Sequence, residues 1–124
     1  MEPVLLVEDK AELRAMLRKA LERAGYTVEE APDGNSAIDK IRSRRYLLIL
    51  SDLKLPGSSG IDVLREARRV EATLPVILMT GRHELATVAT KADRGGRILF
   101  EKPFDRERLL AAINLELRES TGSK

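Results

Sequence analysis

The feature that most constrains the fold of this chain is a regular alternation of five short apolar runs with amphipathic stretches. The first, third and fourth runs are continuously apolar, which is typical of strands that are covered on both faces. Strictly alternating strands and helices predict a parallel sheet with helices packed on both sides. The predicted strands are Val4–Val7, Tyr26–Glu29, Leu47–Ser51, Val76–Thr80 and Ile98–Phe100.

Five helices are predicted from apolar residues at helical spacing and from capping signals. The third is expected to begin with an acidic variant of the capping box, made by Ser59 and Asp62, and to bury Ile61, Leu64 and Ala67. The first is expected to bury one face, which consists of Leu13, Met16, Leu17, Ala20, Leu21 and Ala24. The predicted helices span about Ala11–Ala24, Asn35–Arg44, a stretch that begins at Ser59, about Glu84–Ala92 and Arg106 to about Leu117.

Length and composition limit the classes of protein that remain. The 124 residues suit one domain, predicted over 1–119, with 120–124 as a frayed tail or the start of a linker. The chain has no cysteine, which excludes disulfides and thiolate metal sites and is consistent with the cytoplasm. A net charge of +2, with arginines that alternate with acids, predicts no direct binding of nucleic acid. No apolar stretch is long enough for a membrane span, so no membrane partner is expected.

Polar side chains follow four of the predicted strands, where each strand ends. Glu8 and Asp9 come after the first strand, and Asp52 follows the third. Thr80 ends the fourth, and Lys102 comes shortly after the fifth. Because ligands bind beyond the carboxyl ends of parallel strands, these side chains are expected to converge at one edge of the sheet.

Three carboxylates that lie close together repel one another and need a cation. Oxygen ligands alone select a hard ion such as Mg²⁺, Mn²⁺ or Ca²⁺. A metal, a lysine and a hydroxyl together form a cradle for a phosphoryl group, and an aspartate can accept such a group as an acyl phosphate. Each residue also has an ordinary structural explanation, such as helix capping for Glu8 and Asp9 or a turn for Asp52. Their joint placement favours a site.

At this point the chain resembles the receiver domain of two-component response regulators over nearly its whole length. The segment around Asp52 looks most like receivers of enhancer-binding transcriptional regulators. The resemblance implies a five-stranded, doubly wound α/β fold of the flavodoxin-like type, with strand order 2-1-3-4-5. The segments that carry the resemblance are Val4–Asp9, Ala31–Gly34, Leu50–Gly60, Leu78–Gly81 and Glu101–Phe104.

The resemblance also implies a role for each site residue. Asp52 is the phosphorylated residue, and Mg²⁺ is held by Asp52, by Asp9, by Glu8 through a water and by the backbone carbonyl of Lys54. Thr80 moves its hydroxyl to the phosphoryl group, which Lys102 pairs with, and the Lys102–Pro103 peptide bond is cis. The chain is then a phospho-acceptor switch and not a general enzyme, because it supports only its own phosphorylation and dephosphorylation. Its partners are a histidine kinase or phosphotransfer protein, with a possible homodimer through the fourth helix, fifth strand and fifth helix.

One residue departs from the family pattern. Leu99 occupies the switch position where the family usually has an aromatic residue, so the usual aromatic relay from Thr80 is in question. Other classes are disfavoured by their motifs: a dinucleotide-binding enzyme needs a G-x-G-x-x-G turn that is absent, and a haloacid-dehalogenase-like phosphatase needs a D-x-D pattern where Lys54 stands. A flavodoxin-type cofactor binder would need a phosphate loop where Glu8 and Asp9 lie. A receiver-like scaffold that has lost phosphorylation stays the main alternative.

Overall fold

A computed structural model describes residues 2–80, 97–99 and 106–122, with side chains described for 2–80 and 106–118. Its core is a five-stranded sheet in the order β2-β1-β3-β4-β5, in which every neighbouring pair is parallel. This confirms the predicted doubly wound fold and strand order. The strands are β1 (Val4–Val7), β2 (Val28–Ala31), β3 (Leu48–Asp52), β4 (Val76–Met79) and β5 (Arg97–Leu99).

Four helices lie within the described residues. The last corresponds to the fifth predicted helix and continues five residues beyond the predicted end at Leu117. The helix predicted over Glu84–Ala92 lies outside the described residues. None of the described helices is both long and apolar enough to cross a membrane. The helices are α1 (Ala11–Arg23), α2 (Gly34–Ser43), α3 (Gly60–Val70) and α4 (Arg106–Gly122).

The continuously apolar strands supply both faces of the sheet. In β1, Leu5 and Val7 pack with α2 and α3, whereas Val4 and Leu6 pack with α1 and α4. The strand alternates its side chains between two cores, so polar residues are excluded from both faces. Burial of each leucine contributes about 2 kcal/mol relative to exposure, which stabilises the sheet.

The second strand lies two residues later than predicted. Its register is set by Val28, which pairs with Val4 of β1. Gly25 has φ of +99°, a conformation that glycine adopts at little steric expense, and it turns the chain back at the end of α1. Tyr26 then donates its N–H to the carbonyl oxygen of Leu21 at 3.1 Å. Its backbone therefore closes the helix and is not part of β2.

Two helix predictions meet different outcomes. The capping box is confirmed, because Ser59 N donates to Asp62 Oδ2 at 2.9 Å and Asp62 N donates to Ser59 Oγ at 3.3 Å. The predicted inner face of α1 is too wide, because Met16 is 57% exposed and Ala24 is also exposed. Only Leu17 and Leu21, one turn apart, are fully buried. In α3, Leu64 and Ala67 are buried as predicted, and Ile61 is only partly buried.

Candidate functional site

Three carboxylates meet at the carboxyl edge of the sheet. One oxygen atom each of Glu8, Asp9 and Asp52 lies within 4.8 Å of the others. Glu8 directly follows β1, and Asp52 is the last residue of β3. The two strands are neighbours, with Val7 paired to Ser51. Parallel pairing therefore brings together the three acids that the sequence predicted to converge.

Burial makes the mutual repulsion of these acids stronger. Glu8 is 0% exposed and Asp52 is 7% exposed, whereas Asp9 faces solvent. Two ionised groups of the same sign that are withdrawn from water are stabilised when a cation lies between them. The donor atoms are all carboxylate oxygens, which suit Mg²⁺. The residues of this cluster therefore fit a hard divalent ion.

The conformation of Glu8 is set on three sides. Its N–H donates to the carbonyl oxygen of Ala31 at 3.1 Å. Its Oε2 accepts from the N–H of Lys10 at 3.1 Å, and its backbone oxygen accepts from Arg14 Nη1 at 2.7 Å. The N-cap residue of α1 is Lys10, and it makes no side-chain capping bond. Neither Glu8 nor Asp9 is therefore the N-cap of this helix, although the Glu8 carboxylate does accept a backbone N–H at its start.

The loop after Asp52 folds back onto the backbone of β3. Ser51 Oγ donates to the carbonyl oxygen of Asp52 at 2.9 Å, and Gly60 N donates to the carbonyl oxygen of Leu53 at 2.9 Å. A Cβ atom on Gly60 would lie 2.5 Å from the Asp52 oxygen, so only glycine allows this approach. The side chain of Lys54 is exposed, and the role of its backbone carbonyl in binding a metal stays a prediction.

Thr80 lies at the same edge and is 3% exposed. It follows Met79, which pairs with Asp52 across β3 and β4. Leu99 is the last residue of β5 and pairs with Met79. Lys102, which was predicted to pair with the phosphoryl group, and Pro103, predicted to follow it through a cis peptide bond, lie outside the described residues.

Sequence reasoning overlooked a pair of groups beside the site, Arg14 and Glu30. Arg14 Nε donates to Glu30 Oε1 at 2.8 Å, and Arg18 bonds the other oxygen of Glu30. The hydrogen bond from Arg18, with a smaller contribution from Arg14, holds the pKa of Glu30 below its ordinary value although burial opposes this. The only signal in the sequence was an arginine in the first turn of the helix after Glu8 and Asp9.

Comparison with known proteins agrees with this geometry. Residues 4–114 match the family model of the response regulator receiver domain. The chain is 38% identical over 117 residues to the uncharacterized transcriptional regulatory protein YkoG of Bacillus subtilis, covering 94% of this chain and 51% of that protein. It is 31% identical to sporulation initiation phosphotransferase F of the same organism, covering 90% of each chain.

A solved structure shares the whole fold. The response regulator receiver domain protein (CheY-like) of Methanospirillum hungatei JF-1 superposes with a TM-score of 0.89 at 27% identity, covering 100% of this chain and 99% of that one. The chain spans about half the length of the transcriptional regulators YkoG and ResD of Bacillus subtilis. The finer likeness to enhancer-binding regulators stays a prediction, because these relatives are described only as transcriptional regulatory proteins. The chain belongs to the family of response regulator receiver domains of two-component signal transduction.

Proposed function

We propose that Asp52 accepts a phosphoryl group, with Mg²⁺ held by Asp52 and Asp9, by Glu8 through a water and by the backbone carbonyl of Lys54. The observation that carries this proposal is the meeting of three carboxylates within 4.8 Å at the carboxyl edge of a receiver fold. A bond forms between a carboxylate oxygen of Asp52 and phosphorus, and the bond from phosphorus to the donor breaks. When bound, Mg²⁺ neutralises charge that develops on the phosphoryl oxygens.

The chain's own groups prepare Asp52 for this step. The β3 backbone and the close packing of Gly60 against the Asp52 backbone oxygen fix the position of the Asp52 Cα. The 7% exposure of Asp52 limits the access of competing water. Thr80, one residue beyond the partner of Asp52 in β4, is proposed to bind a phosphoryl oxygen through its hydroxyl. Lys102 is proposed to pair with the same group. That assignment, like the cis bond to Pro103, is supported by the family resemblance.

The proposed donor is a histidine kinase or a phosphotransfer protein, and the chain is proposed to catalyse only its own phosphorylation and dephosphorylation. A relative named sporulation initiation phosphotransferase F, similar along 90% of its length, supports a phosphotransfer partner. The proposed output is a change near Thr80 and Leu99 that alters a surface for a partner or a second copy of the chain. This role carries with it the predicted cytoplasmic location.

Mass spectrometry tests the acceptor directly. Incubation with acetyl phosphate and Mg²⁺ should add one phosphoryl group to the wild-type chain. Asp52→Asn should abolish the addition, because the amide keeps the shape of the side chain and lacks the nucleophilic oxygen. Asp39→Asn is the matched control, since Asp39 lies exposed on α2, and it should be phosphorylated like the wild type.

The outcomes distinguish a receiver that is phosphorylated at Asp52 from a receiver-like scaffold that has lost phosphorylation. Undiminished phosphorylation of Asp52→Asn would show that the acceptor lies elsewhere. A wild-type chain that binds Mg²⁺ but never takes the phosphoryl group would instead favour the scaffold alternative.

A further inference from the structure

The loop that carries Glu8 and Asp9 accepts a hydrogen bond from the guanidinium group of Arg14. Arg14, in the first turn of α1, donates through Nη1 to the backbone oxygen of Glu8 at 2.7 Å and through Nε to Glu30 Oε1 at 2.8 Å. Glu30 belongs to β2. The Arg14 side chain is 20% exposed, so the surrounding protein restricts its conformations. One side chain therefore connects the loop, the helix and the sheet.

The oxygen that Arg14 contacts belongs to the peptide bond between Glu8 and Asp9. A peptide unit is planar, so fixing its oxygen fixes the orientation of the whole unit, including the N–H and Cα of Asp9. The preceding peptide unit is fixed from the other side, because Glu8 N donates to the Ala31 oxygen at 3.1 Å. The directions in which both acids leave the backbone consequently depend on Arg14.

Glu30 keeps the guanidinium in this orientation. Glu30 is a carboxylate at neutral pH even at its ordinary pKa of 4.5, and the hydrogen bonds from Arg18 and then Arg14 lower that pKa further although burial opposes this. A planar guanidinium donates in fixed directions, so it can serve the Glu30 carboxylate and the Glu8 oxygen at once. A lysine has a single nitrogen and cannot reproduce both contacts with the same geometry.

We propose that Arg14, oriented by Glu30, is a positioning residue for the metal site, an inference that rests on the proposed function. Its charge and its geometry have opposite effects on Mg²⁺. A nearby positive charge repels the ion, so removing Arg14 would tighten Mg²⁺ binding if charge alone mattered. Loss of the positioning contact weakens binding instead. The sign of the change in Kd therefore distinguishes the two roles.

The experiment is a calorimetric titration of the unphosphorylated chain with Mg²⁺. Arg14→Gln is expected to raise the Kd about tenfold, the usual scale for removing a partner of a metal ligand. Arg18→Gln is the matched control. It removes an equal charge from the same helix and a hydrogen bond to the same Glu30, but Arg18 has no described bond to Glu8. Its Kd should stay near the wild-type value. Circular dichroism verifies that each variant is folded.

Arg14→Lys keeps the charge and is the second variant should Arg14→Gln fail to fold. Its Kd should also rise, because the double contact is lost. An unchanged or lower Kd in a folded Arg14 variant overturns the inference, as does an equal rise for Arg18→Gln. A wild-type chain that binds no Mg²⁺ contradicts the proposed function itself, which is a different result.

Discussion

Two regions of the molecule that contain buried acids are built in opposite ways. At the carboxyl edge of the sheet, Glu8, Asp9 and Asp52 gather charges of the same sign within 4.8 Å. Between α2 and α3, the carboxylate of Glu66 instead accepts hydrogen bonds from two arginines. Both regions bury acids, but the first brings carboxylates together, whereas the second holds its carboxylate between two arginines.

The Glu66 region is an ion-pair network in which Glu66 contacts both Arg42 and Arg69. Arg42 Nε of α2 donates to Glu66 Oε2 at 2.8 Å, and Arg69 Nε of α3 donates to Oε1 at 3.2 Å. The Glu66 side chain is 10% exposed, whereas both arginine side chains are more than half exposed. The bonds from Arg69 and then Arg42 lower the pKa of Glu66 to about 2.

This difference separates structural acids from functional acids. Removing charge from Glu66 breaks bonds that join two helices, so the folded state loses stability. Removing charge from the acid cluster relieves repulsion, so the folded state gains stability while a binding site is lost. A site that gathers like charges is therefore expected to oppose stability, which is a general feature of functional sites.

The largest expected effect concerns Mg²⁺ affinity. Asp9→Asn should raise the Mg²⁺ Kd by roughly 100-fold, because it removes a charged ligand. Glu8→Gln should raise it less, since its proposed contact passes through a water. Glu66→Gln should leave it unchanged. Titration calorimetry of the three variants measures this order. If Glu66→Gln raised the Mg²⁺ Kd as much as Asp9→Asn does, the distinction between the acid cluster and the Glu66 region would be wrong.

The second largest expected effect is on the free energy of unfolding, and its sign differs between the acid cluster and the Glu66 region. In the absence of metal, Asp9→Asn should stabilise the fold by roughly 0.5 kcal/mol as repulsion is relieved. Glu66→Gln should destabilise it. Urea unfolding with a chelator measures both, with Asp39→Asn as a neutral control. In saturating Mg²⁺ the order of wild type and Asp9→Asn should reverse, because the ion stabilises only the state that binds it. Destabilisation of Asp9→Asn without metal would mean that Asp9 is a structural acid like Glu66.

The smallest effect is confined to acid pH. The pKa of Glu66 falls from an ordinary 4.5 to about 2 on folding, so its contribution to stability is complete above pH 4.5. That contribution is lost as the pH falls from 4.5 towards 2. Urea midpoints measured across this window should fall less steeply for Glu66→Gln than for the wild type. Identical slopes for wild type and Glu66→Gln would show that the ionisation of Glu66 is not coupled to folding.

Sequence reasoning succeeded where the signal was local. The bounds of β1 were predicted to the residue, and the Ser59 and Asp62 capping box was confirmed. It was wrong for Tyr26 and Met16, both apolar residues at positions that matched a strand or a helix face. Their environments depend on where α1 ends and how it lies against α4, and no short segment encodes that relation.

The sequence by itself determined the parallel sheet and the position of the acids at the ends of β1 and β3. Continuous apolar runs can be buried only between two layers of helices, and a residue that follows such a run must emerge at the carboxyl edge. Only the tertiary structure decided which arginines meet which acids. Glu66 contacts Arg42 across 24 positions of sequence, and Arg14 joins Glu30 to the Glu8 peptide. Those contacts follow from the packing of helices against the sheet, because side chains that are distant in sequence become neighbours only when that packing is complete.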